Sequence, residues 1–231
     1  MNESDAQFLA YLDEWVSSLK TISAKECFAD PKHTAIISVD VTNGFCREGN
    51  LASERVATII EPIVKLFKTA WELGGRDILL MHDCHTEDAL EFGAFAEHAI
   101  CGSAESEAVD EIKNLPFFDQ MRLFTKNSIA PDQNTGLDIW IAENPQINTY
   151  IAVGDCTDIC TYLLAIHLRT HANAYEKKWR VIVPEDCVQT YDLPLETAKQ
   201  IGTFPHPGDL LHKIFLYHMA LNGVEVVKSI Q

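Results

Sequence analysis

The chain has little positive charge. Its 231 residues carry 18 lysines and arginines against 34 aspartates and glutamates, a formal net charge of −16. Neutralising phosphates requires clustered Lys and Arg, so this balance argues against nucleic acid as a partner and equally against an anionic membrane surface. Long apolar runs are also missing. Nothing reaches the roughly 18 consecutive apolar residues of a membrane span, so no membrane association is expected. The opening "MNESDAQFLAYLDEW" lacks the basic and apolar regions of a signal peptide. The seven cysteines are odd in number and irregular in spacing. They do not read as a disulfide framework, and a reducing cytoplasm is the expected compartment. Internal repeats, low-complexity tracts and linker-like shifts in composition are absent.

What is present is an ordinary globular composition, 47% hydrophobic and 23% charged, and a length that suits one α/β domain. Phe8, Leu12, Trp15, Leu19 and Ile22 recur every three or four residues, which predicts an amphipathic helix. Residues 1–30 are therefore expected to form a helical extension to a domain spanning 31–231. Within that domain, strands and helices alternate. Strands are predicted at 34–41, 76–83, 119–126, 148–155, 180–187 and in "VEVVKS"; helices at 53–75, 135–144, 159–175, 194–202 and 208–221. The expected fold is a three-layer α/β/α, Rossmann-like domain with a mostly parallel six-stranded sheet. In such sheets chemistry collects at the carboxyl ends of the strands.

The residues at those ends are polar. Asp40 closes an otherwise apolar strand, where a carboxylate is costly to bury; it reads either as a latch for loop amides or as a working acid. Asp83 and His85 lie two apart and share one side of an extended segment, and a carboxylate with an imidazole suits Zn²⁺, Fe²⁺ or Mn²⁺. His98, thirteen residues on, is a candidate third ligand; His82 is an alternative. Lys126 closes a third strand, a place where lysine is ordinarily solvated. Cys160 falls at a predicted helix start, whose free N–H groups and partial positive charge favour a thiolate and can hold an oxyanion. Cys156 lies four residues before it. The pair admits a metal clip, a disulfide, inert thiols or a nucleophile with a neighbour.

Taken in order, "VDVTNGFCREGNLA", "HDCH", "AEHAICGSAESE", "VGDCTDICTYLLAIHLR" and "EDCVQTYD" resemble the isochorismatase-like cysteine hydrolases, and within them most closely the nicotinamidases. The likeness runs from about residue 34 to about 228. It implies a catalytic triad of Asp40, Lys126 and Cys160, and a divalent metal, first of all Zn²⁺, held by Asp83, His85 and His98, with waters or an extra side chain, for which Glu91 is a candidate, completing the shell. It also implies an oxyanion hole from the backbone amides of Cys156 and Cys160, a cis bond between Asp155 and Cys156, and Phe45 against a substrate ring. The implied activity is hydrolysis of nicotinamide to nicotinate and ammonia in NAD salvage, by a homo-oligomer. The alternatives are a related hydrolase of N-carbamoyl compounds, ureides or maleamate, and a non-catalytic binding protein on the same scaffold. Two features depart from the commoner pattern: Cys84 stands where many members have Trp, and "NSIAP" follows the lysine in place of a Gly-led segment.

Overall fold

The computed structural model describes residues 3–231. Its sheet begins with β2 (Thr34–Val39) at the centre, every residue of which is buried. A run of Ala, Ile and Val without polar alternation is what a strand covered on both faces requires. Before it come the helix α1 (Glu3–Ser17) and the two-residue strand β1 (Thr21–Ile22). After it come β3 (Asp77–Asp83), β4 (Arg122–Lys126), β5 (Thr149–Asp155), β6 (Arg180–Pro184), β7 (Val188–Gln189), β8 (Glu225–Val227) and β9 (Ser229–Ile230). The longer helices between them are α2 (Ile60–Glu72), α3 (Leu137–Glu143), α4 (Cys160–Ala174), α5 (Leu195–Ile201) and α6 (Gly208–Leu221).

The main sheet runs β4-β3-β2-β5-β6-β8, with all pairings parallel, and β7 also pairs with β5. It therefore has seven strands, not the expected six. The additional strand is two residues long, too short to leave a periodic trace in sequence, and takes up β5 at Gly154 and Asp155 beyond the reach of β6. Side-chain alternation splits the core into two layers. Ile36, Leu80 and Ile151 pack with Ile63 and Phe67 of α2 on one face. Ile37, Leu79 and Ala152 pack with Leu164 and Leu168 of α4 on the other.

Other boundaries differ from the sequence expectation for identifiable reasons. The helix predicted over 53–75 is two helices, Glu54–Ala57 and α2. Ser53 caps the first, accepting from the Val56 N–H at 3.4 Å. Pro62 has no N–H to offer the Thr58 carbonyl, so one continuous helix cannot form. The N-terminal helix stops at Ser17; Leu19 lies beyond it and Ile22 sits in β1, paired in parallel with Ile230 of β9. Leu12 and Trp15 face inward as their spacing predicts. Leu12 is buried, and the Trp15 ring meets Tyr217 of α6 edge-on at 5.4 Å. The strand predicted to run through Cys187 ends at Pro184, where the chain turns into a single 3-10 turn.

Candidate functional site

Parallel register brings the strand ends together. Asp83 is the register partner of Lys126, and Val39 is the partner of both Met81 and Gly154. The approach of β5 to β2 is so close that a Cβ on Gly154 would lie 2.0 Å from the Val39 carbonyl oxygen, and its φ of +114° suits glycine alone. One residue past β2, Asp40 adopts a left-handed φ of 57°. That turn aims its carboxylate back across the sheet, where Oδ1 accepts the Asp83 N–H at 2.9 Å.

Lys126 is not solvated. It is 2% exposed, and its Nζ lies 2.7 Å from Asp40 Oδ2, 2.6 Å from Asp83 Oδ1 and 3.7 Å from Cys160 Sγ. The structure thus unites Asp40, Lys126 and Cys160. Burial, reinforced by the neighbouring Asp83, pushes the Asp40 carboxyl up to about 7 against the pull of Lys126. Burial also pushes the Cys160 thiol well above its ordinary value, again against Lys126. For Lys126 itself burial opposes the charge, but Asp40, Cys160 and Asp83 outweigh it and hold the ammonium. The resting pattern is a thiol beside a carboxylate whose proton affinity is tuned close to neutrality, which is the matching a general base needs.

Cys160 is the first residue of α4, and Cys156 follows a cis peptide bond from Asp155. The intervening turn is closed by bonds from the Ile159 and Thr161 N–H groups to the Cys156 carbonyl. Among the described residues, neither the Cys156 nor the Cys160 N–H has an acceptor, so both remain for an anionic oxygen. The turn is buttressed from behind. Thr157 Oγ1 lies 2.9 Å from His212 Nδ1, and Asp158 Oδ2 lies 2.8 Å from His206 Nε2. Sequence reading missed both histidines, since they sit some fifty residues downstream with no spacing that ties them to the turn.

Asp83, His85, Glu91 and His98 converge, with one ligand atom of each within 4.8 Å of the others. His85 Nε2 is 3.4 Å from Asp83 Oδ1 and 3.8 Å from Glu91 Oε1; His98 Nε2 is 3.6 Å from Asp83 Oδ2. The other nitrogen of each ring is engaged, His85 Nδ1 with Asn127 Oδ1 at 2.8 Å and His98 Nδ1 with the Ala96 carbonyl at 2.7 Å. That arrangement fixes both tautomers and turns both Nε2 lone pairs inward. His85 Nε2 is buried without a hydrogen-bond partner. A two-imidazole, two-carboxylate set with an orphaned buried nitrogen fits a divalent metal. His82 is outside the group. It is buried one position out of phase on β3, and burial, aided by Lys126, lowers its pKa to about 4.

The expectation of no disulfide is overturned: Cys84 and Cys101 are bonded. The reason is local pairing. The His85 N–H donates to the Ala99 carbonyl and the Cys101 N–H to the His85 carbonyl, a bridge that brings the two Cα atoms to 4.4 Å. The cross-link joins the segment carrying Asp83 and His85 to that carrying His98. The other five cysteines are free and buried.

Asp40, Asp83, His98, Cys156 and Cys160 all open onto one cavity of about 590 Å³. Phe45 lines it and meets the His98 ring edge-on at 5.4 Å; Phe95 also lines it and meets the same ring at 6.4 Å. Asp155, to which the sequence assigned no side-chain role, also lines the cavity. It is fully buried at the end of β5, and burial together with Asp40 raises its pKa well above the usual carboxylate range. The cavity thus offers a thiol beside a carboxylate, two free amides, a group that could hold a metal and aromatic walls. Among the described residues no helix is long and apolar enough to cross a membrane.

Comparison with known proteins agrees with this geometry. Residues 34–228 match the family model described as the isochorismatase domain. The chain is 34% identical over 215 residues to Nicotinamidase 1 of Arabidopsis thaliana, covering 84% of this chain and 85% of that protein. Among solved structures, the pyrazinamidase/nicotinamidase of Streptococcus mutans superposes with a TM-score of 0.66 at 20% identity, covering 84% of this chain and 99% of that one. The pyrazinamidase of Pyrococcus horikoshii in complex with zinc gives 0.64 at 18% identity, covering 85% and 99%.

Proposed function

The chain belongs to the isochorismatase family, and on that premise we propose that it is a nicotinamidase, converting nicotinamide to nicotinate and ammonia through a thioester on Cys160. The observation that carries the proposal is the convergence on one cavity of the Asp40–Lys126–Cys160 cluster with the Asp83–His85–Glu91–His98 group. The first supplies amide-cleaving chemistry. The second is suited to a ligand bearing its own nitrogen lone pair, which a pyridine ring provides and a simple aliphatic amide does not.

Asp40 takes the Cys160 proton as sulfur attacks the carboxamide carbon, and the amides of Cys156 and Cys160 receive the oxyanion. Lys126 stays charged throughout and keeps the anionic groups within reach of one another. As the C–N bond breaks, Asp40 returns the proton to the departing nitrogen, releasing ammonia. Water then adds to the thioester carbon, giving a proton to Asp40. Cleavage of the C–S bond and return of that proton to sulfur regenerate the thiol and free the acid. Asp83, His85 and His98, with Glu91, would hold the divalent metal, for which zinc is our assignment; it would supply a Lewis-acid contact for a ring nitrogen and so help to orient the carboxamide. Phe45 and Phe95, which line the cavity, would supply apolar contacts to the ring.

The test is ammonia release from a panel of nicotinamide, pyrazinamide, an N-carbamoyl amino acid and maleamate, each with and without chelator. Turnover of the two ring amides, reduced by chelator, is the expected result. Hydrolysis of the carbamoyl compound or maleamate with no action on nicotinamide would overturn the substrate assignment and leave the thiol chemistry standing.

A further inference from the structure

We propose that the exposed seam between α3 and α4 carries a second divalent transition-metal site, formed by Asp138, His167 and His171 and separate from the catalytic cavity. His167 and His171 are four apart on α4, so their side chains stand one above the other on one helix face. Asp138 reaches them from the first turn of α3. One ligand atom from each of the three lies within 4.8 Å of the other two.

The cluster has the support expected of a ligand set. His167 Nε2 is 2.7 Å from Asp138 Oδ1, while its Nδ1 faces the Asp132 carboxylate at 3.5 Å. With a metal taking Nε2 in place of the Asp138 hydrogen bond, the proton would sit on Nδ1, where Asp132 stands ready to accept it. The His171 ring is stacked on Trp179, with centroids 5.0 Å apart and planes at 7°, and packs on Tyr175 at 4.6 Å. Its orientation is thus set by aromatic packing, and among the described residues neither of its ring nitrogens has a hydrogen-bond partner. A His–Asp ion pair alone would need no second histidine held ready in this way. Two imidazoles and one carboxylate, with a position left for water, suit Zn²⁺, Co²⁺, Ni²⁺ or Cu²⁺ and not Mg²⁺ or Ca²⁺.

The site is distinct from the catalytic one. His171 lies eleven residues along α4 from Cys160, about 16 Å of helix, and none of the three residues lines the catalytic cavity. A metal here clips α3, which follows the strand of Lys126, to the helix that begins at Cys160.

The test is equilibrium dialysis of the full chain against Zn²⁺ followed by elemental analysis, on wild type, His171→Phe and His85→Ala. Phe keeps the stack on Trp179 and removes the nitrogens, so His171→Phe should fold and turn over substrate as wild type does. Two equivalents on wild type and one on each variant are expected, with binding at the seam weakened on the order of tenfold or more in His171→Phe. Co²⁺ loaded into His85→Ala should show a ligand-field absorption band that His171→Phe abolishes in that background. Retention of the full wild-type zinc content by His171→Phe would overturn the proposal. So would a zinc-free His85→Ala. Loss of zinc from His171→Phe but not from His85→Ala would instead overturn the catalytic ligand set and leave the seam site standing.

Discussion

Replacing Lys126 with Met separates two incompatible views of that residue. If the ammonium were a solvated strand terminus, its ion pairs would be worth about 0–1 kcal/mol, as exposed pairs generally are. The structure places it among buried groups instead, 2.7 Å from Asp40 and 2.6 Å from Asp83. Met fills the stem's volume but strands two buried carboxylates. Breaking a buried pair by removing one partner costs roughly 3–5 kcal/mol, because the remaining charge stays desolvated and unpaired. Here part of the cost is relieved by protonation, since Asp40 already titrates near 7 and shifts further up without the lysine. The assay is urea unfolding of chelator-treated protein, followed by tryptophan fluorescence. With a slope of about 3 kcal/mol per molar, the midpoint should fall by about 1 M or more. Adding Asp40→Asn to Lys126→Met should restore part of the loss, the non-additivity expected of groups in contact. Ammonia release should vanish in the single variant, because Asp40 then holds its proton at pH 7. A stability loss below about 1 kcal/mol, additive with that of Asp40→Asn, would refute the claim that one buried cation holds this site together.

The two cysteines of the helix-start turn should separate sharply. Cys160→Ala should lower turnover on the order of 10⁴-fold or more, whereas Cys156→Ala should stay within about tenfold of wild type, since the role proposed for Cys156 lies in its amide and not its sulfur. The reaction's kcat/KM should rise with pH and level off above about 7, falling roughly tenfold per unit below that value, because only ionised Asp40 can accept the thiol proton; a profile flat across neutrality would remove Asp40 as the base. Gly154→Ala should not yield folded protein in circular dichroism, given a Cβ 2.0 Å from the Val39 carbonyl oxygen. Cys84→Ser removes a cross-link with a sequence separation of 17; it should cost about 3 kcal/mol of stability and lower the zinc retained after dialysis, measured by elemental analysis.

What was legible in sequence was what periodicity and strand ends encode. Asp40, Asp83 and Cys160 could be found because each terminates or follows an apolar run that has no other use for a polar group. Lys126 could not be valued in the same way. A lysine at a strand end is ordinary until the register sets it against Asp83 with Asp40 across the next strand, and register is a property of the whole sheet. Glu91, Asn127 and the Cys84–Cys101 bond were harder still. They belong to irregular segments around the ends of β3 and β4, where no period constrains the reading and contacts are set by tertiary closure. The break at Thr58 and Ile59 was readable in principle from Pro62, but the apolar stripe runs through it and masks the missing donor.

Asp83 explains why the two halves of the site occur together. Its Oδ1 faces both Lys126, at 2.6 Å, and His85 Nε2, at 3.4 Å, while Oδ2 faces His98 Nε2 at 3.6 Å. Burial opposes its charge, yet Lys126 and the two histidines hold it ionised, well below the usual carboxylate range. It therefore belongs equally to the candidate metal-holding group and to the group that tunes Asp40 and Cys160. A substitution such as Asp83→Asn should then do two things that a pure metal ligand would not. It should weaken metal binding, and by removing the neighbouring negative charge that, next to burial, raises Asp40 most, it should lower the pH at which kcat/KM levels off. His98→Ala, which has no contact with Lys126, should weaken metal binding and leave that pH unchanged. Identical pH profiles for the two variants would mean that the metal group and the thiol group are neighbours without being coupled.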